Sequence, residues 1–234
     1  MCLSAEVSFV SAAVLVPAGA FAMREAYRRD RRYLPFATLP LLFGLQQFFE
    51  GMIWTGGRLS EPEWVERFSL AYMFFSWLTW PVWVPYSTYV LEPCRRRQLY
   101  LLFAILGGMI GALQYVPYFA HDGWLTTTFL GRAISYQGTH LLDAIIPRSM
   151  TYIVYLFVII APLVTSSIKE VNNFGYLVVL VVTVTYFFFQ YAYISVFCFG
   201  GAIMSLYIVY IITGTRNSAL EKMEGREELE ARRC

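Results

Sequence analysis

Charge is scarce in this chain. Only 15% of its 234 residues are Asp, Glu, Lys or Arg, against about 25% in a typical soluble domain. Lysine is nearly absent: Lys169 and Lys222 are the only two, and both lie outside the apolar stretches. That excludes a retinal photoreceptor, which needs a lysine within a helix for its Schiff base. The only histidines are His121 and His140, too few for the three-His site of a seven-helix zinc hydrolase. There is no CxxC and no HExxH. Arginine does not recur along any apolar stretch, so the ladder of a voltage sensor is missing. A formal net charge of +2 carries no nucleic-acid signal.

What the chain has in abundance is apolar residues, 58% of the total, with 18% aromatic. A membrane helix needs roughly 20 mostly apolar residues. Seven stretches qualify: 5–23, 34–54, 68–91, 98–120, 149–168, 174–192 and 195–214. The last two come from one run over 174–214, which as a single helix would reach about 60 Å, twice the hydrocarbon core. A fold-back is therefore expected near Gln190–Ser195. The expected class is all-α, a polytopic seven-helix membrane bundle over 1–214 with a polar tail at 215–234.

Seven spans also sort the charges. Fourteen of the eighteen Lys and Arg fall on one side: the clusters at 24–32, 95–97 and 216–233, and Lys169. Basic residues favour the cytoplasmic side, so the N-terminus is expected outside and the C-terminus inside. The basic cluster follows the first apolar run rather than preceding it, so that run reads as a retained helix, not a secretory signal. The connection 121–148 is the longest. Its aromatic content points to packing over the outer mouth, and it carries both histidines.

Against this apolar background the stretch LLFGLQQFFEGMIW, residues 41–54, carries Gln46, Gln47 and Glu50. On a helix Gln47, Glu50 and Trp54 share a face, with Gly44 and Gly51 beside it. A polar and small stripe should face protein rather than lipid. An intramembrane carboxylate is a candidate functional group by default; snorkelling of Glu50 to the nearby interface, or its pairing with Arg58 or Arg67, is the competing reading. The third stretch repeats Trp77, Trp80 and Trp83 and contains Pro81 and Pro85; a kinked helix with ordinary interfacial aromatics is the plainer reading, and a broken helix lining a cavity is the other. Glu92 stands beside Arg95–Arg97, where a local salt bridge suffices. Gly107 and Gly111 have GxxxG spacing, read as intramolecular packing. The expected ligand-binding residues are Gln47, Glu50, Trp54, Trp80 and Glu6.

Small faces on the first helix (Ser4, Ser8, Ser11, Ala12) and the seventh (Cys198, Gly201, Ala202, Ser205) suit close contact. If they meet, Cys2 and Cys198 come near each other. Three readings stay open: a Cys2–Cys198 disulfide on an oxidising side, a soft metal site of Cys2, His140 and Cys198, or plain buried thiols.

Together, MCLSAEVSF at the start, QQFFEGMIW, LEP closing the third helix and SVFCF late in the chain resemble an uncharacterised family of small bacterial integral membrane proteins. That resemblance implies a seven-helix bundle in the bacterial inner membrane. It supplies no activity and no cofactor. Three functions compete: a transporter or sensor binding a small molecule or ion through an outward-facing polar cavity; a redox or metal-dependent membrane enzyme; and a structural or assembly protein. The expected partners are the lipid bilayer and a small molecule or ion; oligomeric state stays open.

Overall fold

The computed structural model describes residues 4–131, 133–138, 143, 146–188 and 193–214. It is predominantly helical. The order is α1 (Ala5–Arg29), a 3-10 turn (Arg31–Tyr33), α2 (Leu34–Ala37), α3 (Leu39–Leu59), α4 (Pro62–Phe74), a π turn (Phe75–Thr79) and α5 (Trp80–Leu91). There follow α6 (Cys94–Ala120), β1 (Leu125–Leu130), β2 (Ala133–Gly138), α7 (Arg148–Val164), α8 (Lys169–Phe188) and α9 (Tyr193–Gly214). Each of the seven expected stretches overlaps a helical rod, the second made of α2 and α3 and the third of α4, the π turn and α5. α8 and α9 pack side by side; the expected fold-back near Gln190–Ser195 falls largely on residues 189–192, outside the described residues. The tail 215–234 lies outside the described residues.

α1 and α3 run antiparallel and approach at glycines. A Cβ at Gly19 would overlap the Leu41 backbone, and one at Gly44 would meet Val16 at 2.9 Å. α1 and α9 pack against each other, and of their expected small faces Ser8, Ala12, Gly201, Ala202 and Ser205 are buried. Arg29 joins their ends, its guanidinium donating to the Ile212 carbonyl at 2.8 Å.

Of the two readings of the third rod, the structure has the unbroken helix. Its backbone stays helical, but it widens to a π turn just before Pro81, with the Trp80 N–H reaching the Phe75 carbonyl. A proline lacks the N–H that serves a carbonyl one turn back. Pro81 thus leaves the carbonyls around Ser76 and Trp77 in need of other partners, and Pro85 does the same for Pro81. The Tyr155 hydroxyl of α7 donates to the Ser76 carbonyl. The Trp77 and Pro81 carbonyls lie against Gly111 and Gly107 of α6, where any Cβ would collide with them. The GxxxG pair therefore packs within the chain, close enough for Cα–H···O contacts.

Two further differences from expectation concern the helix ends. Glu92 does not pair with Arg95–Arg97. It is buried, and its Oε1 accepts from the Ser166 hydroxyl at 2.5 Å and the Ser167 N–H at 2.7 Å, tying the α5–α6 turn to the start of α8. The long connection is not merely irregular: β1 and β2 form an antiparallel hairpin, Leu125 opposite Gly138 and Leu130 opposite Ala133. Its two-residue turn begins at Gly131 with φ +53°, a conformation glycine adopts without strain.

Substituting Gly111 by Ala should cost about 1–3 kcal/mol by overpacking, read as a lowered midpoint of thermal unfolding in detergent. Gly108→Ala is the control. Its Cβ would meet Val82 at an ordinary 3.4 Å, so the midpoint should hold or rise.

Candidate functional site

The polar residues of α3 all turn inward. Gln46, Gln47 and Glu50 are fully buried, and Trp54 is 8% exposed. They divide into two groups. Gln46 bridges α3 to the third rod: its Nε2 donates to Ser76 Oγ at 3.0 Å, and its Oε1 accepts from the Trp80 indole N–H at 2.9 Å. Ser76 Oγ in turn donates to the Tyr72 carbonyl at 3.4 Å. The Trp80 ring stacks on Phe43, centroids 3.9 Å apart, and Phe43 lies in the space left by Gly201 of α9. Every member of this group has packing or hydrogen bonds that hold helices together.

The second group lies nearer the hairpin. Gln47 donates to Glu50 Oε2 at 3.2 Å. Trp54 stands one turn further along, its ring 5.4 Å from Phe129 of β1. Its indole N–H is buried and has no acceptor among the described residues, and the hydroxyl of Ser8, also buried, has no partner there either. The Phe9–Gly51 contact puts the neighbouring Ser8 and Glu50 at one level of the α1–α3 crossing. Buried polar groups nearly always find partners, and an indole can only donate. An orphaned Trp54 N–H is therefore the kind of gap that water or a ligand fills.

Glu6, expected at this site, stands elsewhere. It is exposed and forms a two-pronged ion pair with Arg58, at 2.6 and 3.0 Å. That pairing also answers the ion-pair reading of Glu50, because Arg58 is engaged by Glu6 and Arg67 by Glu63. The hydrogen bond from Arg58 to Glu6 raises the guanidinium pKa further. At the foot of the hairpin the Asp143 carboxylate does the same for Arg148. Trp80 belongs to the Gln46 group rather than to Glu50. Cys2 and His140 lie outside the described residues. Cys198 lies in α9, its side chain likewise outside them, so the disulfide and metal readings are untouched. Among the described residues no group of three His, Cys, Asp or Glu could hold a metal.

Ser8, Ser76 and Tyr155 were not singled out as site residues. Ser76 was legible, since it stands four residues before Trp80 and so shares its face. Tyr155 was not, because its partner is a backbone carbonyl freed by a proline in another helix.

The outer surface of this bundle is apolar. Val10, Phe119, Phe157, Phe187 and Tyr210 are each more than half exposed, on five different helices. A soluble monomer rarely leaves so much apolar surface bare. Ala5–Arg29, Arg95–Ala120 and Lys169–Phe187 are long and apolar enough to cross a membrane. Fold and surface together define a helical protein of membrane type with a buried polar centre. The chain belongs to a family of unknown function (DUF6629), which matches residues 1–224. Neither the curated proteins nor the solved structures contain a match to it.

Gln46→Leu should destabilise the bundle by about 1–3 kcal/mol, because it strips the buried Trp80 N–H of its acceptor. Thermal unfolding in detergent measures this, with Leu45→Ala on the exposed side of α3 as the near-neutral comparison.

Proposed function

We propose that this is a seven-span integral protein of the bacterial cytoplasmic membrane, N-terminus outside, that binds a small polar molecule or ion at Glu50 as a transporter or sensor. The orientation rests on the fourteen-to-four division of Lys and Arg. The three long apolar helices support insertion, and the shorter apolar stretches Arg148–Val164 and Gly200–Thr213 accompany them. In this orientation the hairpin and Glu50 lie toward the outer face.

The observation that carries the binding reading is the fully buried Glu50 beside an orphaned Trp54 N–H. The Glu50 group contains a donor, the Trp54 N–H, with no acceptor among the described residues. A ligand offering both hydrogen-bond donors and acceptors would match the carboxylate and the indole together. The assembly-protein reading fits Gln46, Ser76 and Trp80, whose bonds join helices.

Native mass spectrometry of the detergent-released protein tests the binding reading. A small molecule or ion bound to the wild type and lost from Glu50→Gln is the expected result; identical bare spectra from both would count against it. Orientation is checked with a variant retaining only Cys234. An impermeant maleimide should label it after cell lysis and not in intact cells; labelling of intact cells would reverse the topology.

A further inference from the structure

We infer that the β1–β2 hairpin is the gate of the Glu50 site, an inference that rests on the reading of Glu50 as a ligand-binding residue. Two strands on their own are marginally stable, so this hairpin keeps its position through what it touches. β2 is anchored on α9 and on Tyr118 of α6, with Ala133 and Ile134 buried, while the contacts of the Phe129 side fall on the second and third rods above Glu50. Phe129 lies against Gly57, where a Cβ would run into its ring, and it faces the Trp54 ring at 5.4 Å. Tyr136 stacks on Tyr72, centroids 4.9 Å apart and planes within 16°. The Thr127 hydroxyl donates to Ser69 Oγ at 2.8 Å. At the far end of β2, Arg148 holds the Gly138 carbonyl at 3.2 Å.

The geometry gives Phe129 the decisive position. Trp54 is one turn from Glu50 on the side of the hairpin, so a solute approaching Glu50 from that end meets Trp54 first. Trp54 is covered by Phe129. Phe129 is itself 40% exposed, so its ring is held on one side only. Releasing it breaks ring contacts and leaves the helices intact. The chain enters β1 past Gly123, whose φ of +77° and empty surroundings suit a swivel. Glycine at 57 suits closure: a Cβ there would force the Phe129 ring to shift from α3.

The test is the rate at which Glu50 is coupled to glycine ethyl ester by a water-soluble carbodiimide, 1-ethyl-3-(3-dimethylaminopropyl)carbodiimide. The reaction is read by mass spectrometry of the peptide carrying Glu50. Phe129→Ala should raise the rate at least ten-fold. Thr127→Val, which removes one hydroxyl and keeps the strand, should raise it by a smaller factor. A Ser69→Cys/Thr127→Cys pair, in a background with the four natural cysteines replaced by Ser, should lower it at least ten-fold when oxidised and restore it on reduction. Equal rates in the wild type, Phe129→Ala and the oxidised pair would overturn the gate and leave the site standing. No modification of Glu50 in any form, Phe129→Ala included, would overturn the site and the gate with it.

Discussion

Inside an apolar bundle, every backbone carbonyl must find its partner within the protein, and the third rod is where this chain makes that hardest. Pro81 and Pro85 remove two donors from one helix. The remedies come from three directions. The helix widens to a π turn, α7 supplies the Tyr155 hydroxyl, and α6 supplies two glycines that let carbonyls come in close. Each remedy fixes a neighbour. α6 must present Gly107 and Gly111 at the level of Pro81 and Trp77, and α7 must present Tyr155 at the level of Ser76. Once Ser76 and Trp80 are held, Gln46 has its partners, and α3 is fixed in turn. The proline pair is thus the origin of the register among four helices.

This ordering separates two kinds of buried polarity that composition alone cannot distinguish. Around Gln46, donors and acceptors answer one another across helices, and the product is rigidity. Around Glu50, just over one helical turn away, the buried Trp54 donor stands without an acceptor among the described residues. Stability and a polar opening sit side by side on α3 because Gln46 and Gln47, adjacent in sequence, are about 100° apart around the helix. One points to the third rod, the other toward Glu50.

Much of the architecture was legible in the sequence because apolar runs of membrane length have few alternatives. The positions of the rods, the inward turn of Gln46, Gln47 and Glu50, and the intramolecular use of Gly107 and Gly111 followed from spacing alone. The hairpin was legible in principle: Thr126, Thr127 and Thr128, then Gly131, then Ile134 and Tyr136 make β-branched and aromatic strands around a glycine turn. Its aromatic and apolar content was read as packing only. Glu92 was misjudged because proximity in sequence to Arg95–Arg97 is a weaker guide than an unfilled helix start in space. Glu6 was grouped with Glu50 by its depth along α1, whereas the arginine that claims it, Arg58, lies beyond the end of the apolar run.

The contact of Arg29 with the last turn of α9 joins residues 183 positions apart. It has a consequence for the order in which the molecule is made. α1 is synthesised well before α9, so Arg29 waits through most of translation for the carbonyl it will hold. The α1–α9 contact therefore forms only after every intervening helix has emerged.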